Sequence, residues 1–246
     1  MKFSINRWFA VLFLFVCIVG CGGQDSSEIR TSKIVAELEV VTTEPNGIVK
    51  VKAKLKTRFG EDIRLEPEDS LWTESDGERK QLRPAATILS RNTDYSASFN
   101  GRAVEGKKVS ISLLRDKHRD ALNSVAVLPG PFVIDLPNKD ATLSRLDDIT
   151  LVWTPGRSEW IMDIKIIIYC TNGPNAETHF QFDDSQGMGI LKPEEHSPSD
   201  VLEFDGECSF KFIFSRINKG KLSGEFARGY INAVQRRDIY ITTTGK

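Results

Sequence analysis

The stretch VKVKAKLKT at residues 49–57 constrains the fold more than any other. Val49, Val51, Ala53 and Leu55 share one side, and Lys50, Lys52, Lys54 and Lys56 share the other. A period of two is the signature of a strand with one buried face; on a helix the same residues would scatter around the axis. Just upstream, Ile34, Ala36, Leu38 and Val40 alternate in the same way, and Glu44-Pro45-Asn46-Gly47 separates the two runs. Proline presets φ, and Asn and Gly accept positive φ, so this separator is a turn and the pair is a β-hairpin. A four-residue loop sets Glu39 opposite Lys52 and Glu37 opposite Lys54. Such cross-strand pairs contribute about 0.2–1 kcal/mol each, and a charged face discourages edge-to-edge association. The lysine row therefore reads as a solvated face rather than as a platform for lipopolysaccharide or an acidic partner.

The same short alternation continues at 71–73, 81–82, 95–99 and 109–114, divided by Ser75-Asp76-Gly77 and Asn100-Gly101. Residues 115–124 are the one plausible helical turn. Short strands at this spacing predict an all-β sandwich or barrel. LPGPFVIDLP at 128–137 then places three prolines in ten residues, and proline cannot donate to a central ladder. Beyond it the pattern restarts at 132–136, 149–153, 160–170, 179–182, 201–204, 208–214, 230–235 and 239–243. This organisation predicts two β-sandwich domains, 31–128 and 131–246. The alternative is one larger sandwich with the proline segment as an internal crossover.

The N-terminus has a different character. MKFSINR carries Lys2 and Arg7 and no acid, and WFAVLFLFVCIVG then runs apolar for thirteen residues. A membrane-spanning helix needs about 20, whereas a basic start, a short apolar run and a small-residue end make a secretory signal. That end, Ile18-Val19-Gly20-Cys21, resembles the lipobox of bacterial lipoproteins. The resemblance implies a signal peptide over 1–20, cleavage before Cys21, and acyl chains on Cys21 that anchor the protein to a lipid bilayer. Gly22 rather than Asp after the cysteine resembles the pattern released to the outer membrane, which gives an expected location in the bacterial cell envelope. Removing Lys2 and Arg7 takes the formal charge from −1 to −3. Residues 21–30 are expected to form a flexible polar tether, since Gly- and Ser-rich chain behaves as coil.

A second resemblance lies in the segment SVAVLPGPFVIDLPNKDATLSRLDDITLVWTP. It is similar to the interdomain stretch of predicted lipoproteins with immunoglobulin-like sandwiches. The shared features are the proline-flanked Phe132, Asp148, and Trp153-Thr154-Pro155. The resemblance implies two immunoglobulin-like domains in tandem and carries no catalytic motif. Trp153, at a strand end, is assigned to packing.

Of the four cysteines, Cys17 is discarded with the signal and Cys21 is the lipid site, which leaves Cys170 and Cys208 in an oxidising compartment. In WIMDIKIIIYC, Met162, Ile164, Ile166, Ile168 and Cys170 share a face. In CSFKFIFS, Cys208, Phe210, Phe212 and Phe214 share one. Both cysteines thus fall on the inward side of their strands, and a Cys170–Cys208 disulfide is predicted.

Motifs that carry chemistry are absent from the sequence. It contains no Gly-x-Ser-x-Gly elbow, no His-Glu-x-x-His, no phosphate loop and no helix-flanked calcium loop. GKLSG at 220–224 places its serine one position late. No basic cluster interleaved with aromatics invites nucleic acid. Neither an enzyme nor a cofactor is expected. The stretch 183–200 gathers Asp183, Asp184, Glu194, Glu195, His196 and Asp200, oxygen and imidazole donors of the kind that calcium or zinc uses. Their spacing matches no metal motif, and the reading is a solvated loop, though a long one where a binding site is first sought. Two functions remain: a non-catalytic module that binds an envelope protein through loops or a strand edge, and a glycan-binding sandwich with Trp72 and Trp160 as platform.

Overall fold

In a computed structural model, residues 24–43, 47–84, 94–100, 104–139 and 141–244 are described. Residues 1–20, read from the sequence as a signal peptide, together with Cys21, the turn residues Glu44-Pro45-Asn46 and Gly101, lie outside them. The chain is all-β, and its centre is one continuous sheet. From one edge its strands run Asn175–Asp183, Ile161–Cys170, Cys208–Lys219, Arg228–Thr244, Val35–Thr42, Val49–Lys56, Asp94–Phe99 and Arg83–Pro84, with Leu143–Ser144 beside the end of Arg228–Thr244. A four-stranded sheet, in the order Ala121–Val127, Lys108–Leu114, Ser70–Ser75, Glu78–Gln81, covers one half of it. A three-stranded sheet of Ile134–Leu136, Ile149–Trp153 and Met188–Leu191 covers the other. Each pair of layers closes over its own apolar core, one around Leu38, Leu55, Phe99 and Ile111, the other around Trp153, Ile166, Phe210 and Phe212.

The two sandwiches are joined by more than a linker. The strand Arg228–Thr244 pairs antiparallel with Cys208–Lys219 and, over its first half, parallel with Val35–Thr42. Phe226, Ile231 and Ala233 thereby complete the core of the N-terminal sandwich. Residues 230–235 and 239–243, read as two strands, are one. Division at the proline segment thus describes the chain path, while the sheet itself runs through the division. Gly229 makes the parallel junction possible. It holds φ at 134°, and a Cβ there would stand 1.9 Å from the Ala36 carbonyl oxygen.

Where the sheet passes from one core to the other, its inner face turns polar. Arg216 and Gln235 lie opposite one another on adjacent strands, and both are buried. Phe132, from the proline segment, plugs this seam. The Arg216 and Arg237 guanidinium carbons lie 4.9 and 5.5 Å from its ring centroid. The proline-flanked phenylalanine is therefore the joint between the sandwiches, and its ring is placed to shield two cations from water.

Register follows the sequence pattern closely. Glu39 faces Lys52 and Glu37 faces Lys54, although Glu37 bridges diagonally to Lys56 at 2.8 Å, and Lys54 turns instead to Asp62 and Asp94 at 3.5 and 3.6 Å. Asp76 and Gly77 both take positive φ, 51° and 80°, as a two-residue hairpin turn of that twist requires. Cys170 and Cys208 are directly opposed on neighbouring strands and bonded, with their phase partners Ile168 and Phe210 fully buried.

Three local expectations fail, each for a visible reason. Residues 201–204 are not a strand. Pro198 starts a helical turn at Ser199–Leu202, and the Asp200 carboxylate accepts from the Val201 N–H. Residues 115–124 are not helical. The Asp120 carboxylate accepts the Arg115 N–H at 2.7 Å and closes a loop, after which Ala121 enters a strand. The expected tether is not free coil where it is described. Gln24–Asp25 pairs with Ile63–Arg64, Ser26 is buried, and 3-10 turns follow at Ser26–Glu28 and Thr31–Lys33.

Candidate functional site

The 183–200 stretch does not assemble its donors into a site. Asp183 accepts from the Ser185 N–H at 2.9 Å and hydroxyl at 2.6 Å, which lowers its pKa and caps a 3-10 turn. Asp184 is fully buried beside Arg216, whose Nε stands 2.7 Å from its Oδ2. Glu195 accepts the Lys192 N–H at 2.7 Å, part of the capping of a helical turn over Pro193–His196. Glu194 adds an acid to that first turn, and Asp200, in the first turn of the next, accepts the Val201 N–H. Among the described residues no three His, Cys, Asp or Glu side chains converge on a point where a metal ion could sit. Within this stretch the glycines and prolines set turns, and Asp183, Glu195 and Asp200 bond to nearby backbone N–H groups while Asp184 pairs with the distant Arg216.

His196 is the unexpected member. It is completely buried, with Nε2 3.2 Å from the Asp147 carbonyl and Nδ1 2.9 Å from the Ser197 hydroxyl. A carbonyl can only accept, so Nε2 carries the proton and Nδ1 accepts from Ser197. Burial pushes the imidazole pKa down against the opposing Asp147 carbonyl bond and nearby carboxylates. A serine and a histidine in contact resemble half of a nucleophilic pair, but Ser197 is buried as well, and no substrate reaches it. His118 contacts the Ser27 carbonyl at 3.0 Å, and His179 stands 3.6 Å from Asp163. The three histidines are thus dispersed, each with a different partner.

The two tryptophans proposed as a platform also separate. Trp160 is buried beneath Arg157 and Arg216, and Trp72 is half-buried beneath Arg79, whose guanidinium carbon is 4.5 Å from the ring centroid. They lie in different sandwiches and form no common surface. Trp153 is buried in the C-terminal core, its indole N–H donating to the Asp184 carbonyl, as its assignment to packing requires.

An apolar concavity lies elsewhere, at an opening in the C-terminal sandwich. Strand Val35–Thr42 covers the edge of Arg228–Thr244 only as far as Gln235, and pairing on that side resumes at Thr243 with Leu143. Between them residues 236–242 present a strand edge with no neighbouring strand among the described residues. The proline segment passes in front of this edge, and the gap is a groove of about 840 Å³. Phe132, Ile134, Pro137 and Ile239 line it as buried or half-buried residues, and the exposed Val133, Tyr240, Asp135, Lys139 and Asp238 line it towards solvent. Val133 and Tyr240 are 62% and 61% exposed. An apolar trough beside an open strand edge is suited to an extended peptide, since main-chain hydrogen bonds supply affinity and alternate side chains fill pockets. Sequence reasoning missed it because the groove belongs to two segments a hundred residues apart, each an ordinary alternating strand by itself.

No family model and no curated protein matches the sequence. Superposition on solved structures finds a cytokine receptor complex at 9% identity and a TM-score of 0.28, covering 74% of this chain and 90% of that one. The FN1–FN3 domains of chicken CNTN1 align at 12% identity and 0.29, over 91% of this chain and 66% of that one. Fibronectin(III)-like modules of Clostridium thermocellum CbhA align at 10% and 0.24, over 85% and 91%. At such scores these likenesses add nothing on activity, and the fold rests on this chain's own strand pairing: two β-sandwiches sharing one sheet, an architecture consistent with a non-catalytic binding or structural module.

Proposed function

We propose that the protein is a lipid-anchored bacterial envelope module that holds a protein partner without catalysis. The anchor is Cys21, supported by the basic start, the short apolar run and Ile18-Val19-Gly20-Cys21. The partner donates an extended segment to the 236–242 edge and seats apolar side chains on Phe132, Ile134 and Ile239. The observation that carries this reading is the strand edge without a neighbouring strand beside an apolar trough, because an open row of main-chain donors and acceptors is a template for an added strand. The scatter of the carboxylates and histidines gives the alternative of a catalytic centre no support. The separation of Trp72 from Trp160 removes the platform of the glycan-binding alternative.

Site-specific photo-crosslinking tests it in intact cells producing the full chain. A photoreactive residue at Val133 should yield a discrete adduct that disappears when Ile239→Asp is added. The same probe at Leu122, exposed in the N-terminal sandwich, should yield none. Identical adducts at both positions, or none at Val133, would remove the groove from consideration. Metabolic palmitate labelling checks the anchor: Cys21→Ala should lose the label.

A further inference from the structure

The N-terminal segment enters the fold in a direction that has consequences for the membrane. Gln24 and Asp25 pair in parallel with Ile63 and Arg64, and the Gln24 N–H donates to the Asp62 carbonyl at 3.0 Å. In a parallel pair the two chains run the same way. Upstream of Gln24 lies the side from which Asp62 comes, which is the side of the turn over residues 57–61. Cys21 is three residues from Gln24, so at ~3.6 Å per residue the chain can carry it no more than ~11 Å.

That turn presents Phe59, which is 87% exposed. A lone exposed phenylalanine says little. Here, however, the backbone holds it rigidly outward. Thr57 donates its N–H to the Glu61 carbonyl at 2.7 Å, its hydroxyl accepts the N–H groups of Phe59 and Glu61, and its carbonyl accepts the Gly60 N–H. Gly60 takes the positive φ of 89° that closes the turn. Arg58 precedes Phe59 in the turn, and Arg228 donates to the Arg58 carbonyl at 3.3 Å. Arg58 and Arg228 are both exposed and form no salt bridge with another described residue. An aromatic ring on a fixed tip with two arginines beside it matches the acyl–headgroup boundary of a bilayer, where apolar side chains bury and basic ones meet phosphates.

We propose that the 57–61 turn is a second membrane contact, seating Phe59 in the bilayer that holds the Cys21 lipid. This rests on Cys21 being acylated. Two contacts at one end fix how the N-terminal sandwich stands on the membrane, where a lipid on flexible chain would let it tumble.

The test uses the full-length chain, processed in cells, purified and reconstituted in phosphatidylethanolamine–phosphatidylglycerol vesicles, with and without lipids brominated on the upper acyl carbons. Phe59→Trp is compared with Val104→Trp. Val104 is 54% exposed and adjoins Glu105, which is bonded to Arg157 of the C-terminal sandwich, so it marks the opposite end. Mass spectrometry of the N-terminal peptide comes first. A peptide without acyl mass on Cys21 would refute the anchor itself and this proposal with it. With the acyl mass present, the proposal requires blue-shifted, bromolipid-quenched emission at position 59 and no added quenching at 104, relative to the unsubstituted protein. Unquenched emission at 59 on an acylated chain would overturn the contact and leave the anchor standing. Equal quenching at both positions would also overturn it, because the protein would then lie along the membrane rather than stand on the turn.

Discussion

Each sandwich is entered by a segment that a buried arginine ties down, and the two arginines differ in how completely they are answered. In the N-terminal sandwich Arg115 donates from Nε to Asp69 at 2.8 Å and from Nη2 to the carbonyls of Ser26 and Ile29 at 2.6 and 3.0 Å. Asp69 also accepts the Ser26 hydroxyl and the Asp116 N–H. Burial pushes the Asp69 carboxyl up, but these bonds and the guanidinium outweigh it and hold it below the ordinary carboxylate range. In the C-terminal sandwich Arg216 donates to the carbonyls of Gly130, Pro131 and Thr154 and pairs with Asp184. There burial pushes Asp184 up, and it outweighs the downward pull of Arg216. Gln235, on the facing strand, has neither amide atom hydrogen-bonded among the described residues. The first knot is a finished network inside one layer pair. The second spans the seam between two cores, where Arg216 meets Asp184 and three backbone carbonyls while the buried Gln235 amide beside it is left unanswered. Full satisfaction is what makes a buried ion pair a lock; without it, desolvation cancels much of the attraction.

The largest effect should come from breaking the finished network. Asp69→Ala leaves Arg115 buried and uncompensated, which costs about 3–5 kcal/mol. Urea unfolding should register the loss, with faster amide exchange over 24–33. A loss below about 1 kcal/mol, on the scale of a surface pair, would mean the entering segment is not locked. The amide variants sharpen the contrast. Asp184→Asn should be the milder of the two, because burial raises the Asp184 pKa while hydrogen bonds and Arg115 lower that of Asp69. Equal losses would erase the distinction between the knots.

The disulfide comes next. It belongs to the C-terminal sandwich alone, and its two ends are 38 residues apart. A loop of that size is worth about 4 kcal/mol in the chain-entropy model, and about 2–4 in common practice. Paired Cys170→Ala and Cys208→Ala substitution should therefore loosen the Phe210 and Phe212 core well before the Leu38 core. Hydrogen exchange resolves the two. Equal loosening of both would show that the shared strand Arg228–Thr244 couples them into one unfolding unit.

Most of the strands, and the partner of each cysteine, were legible because period two fixes which residues face inward. Glu39 and Lys52 could be paired across the hairpin from loop length alone, and Cys170 met Cys208 because both were in phase with isoleucine or phenylalanine rows. What alternation cannot encode is which strand lies beside which. The parallel pairing of Val35–Thr42 with Arg228–Thr244 joins residues nearly two hundred apart, and nothing local announces it except Gly229. The groove was hidden for the same reason, since it is defined by where that pairing stops. The locked N-terminal segment was hidden differently. SSEIRTSK is polar and reads as coil, and only the distant Arg115 and Asp69 give its backbone carbonyls and hydroxyls a reason to be buried.

A smaller effect should appear with pH, and only in the C-terminal sandwich. Burial lowers the His196 pKa below its unfolded value of 6.5. A depressed pKa means the unfolded chain binds the proton first, so stability is fully present above about 6.5 and is lost as pH falls from there through the folded pKa. Denaturation midpoints should decline between pH 7 and pH 5, and His196→Gln should flatten that slope while retaining one hydrogen bond to Asp147. An unchanged slope would move the effect to another group. Asp69 contributes in a separate window: its stability is present above its ordinary value near 3.8 and disappears only in stronger acid.

The smallest effect is the most instructive control, because it repeats the strongest contact at the surface. Lys56 and Glu37 approach to 2.8 Å, the same separation as Arg115 and Asp69. Their side chains are 26% and 30% exposed, against 0% and 4% for the buried pair. Water screens the first and is excluded from the second, so equal distances should yield unequal energies. Lys56→Ala should cost only about 0.2–1 kcal/mol, and 1 M salt, with a Debye length of about 3 Å, should abolish most of that. The Asp69→Ala penalty should survive the same salt, since no counterion reaches the site. A double-mutant cycle for each pair, run at low and high salt, measures this directly. If the surface pair proved as strong and as salt-resistant as the buried one, separation alone would set the energy, and burial would no longer explain why the N-terminal segment is held.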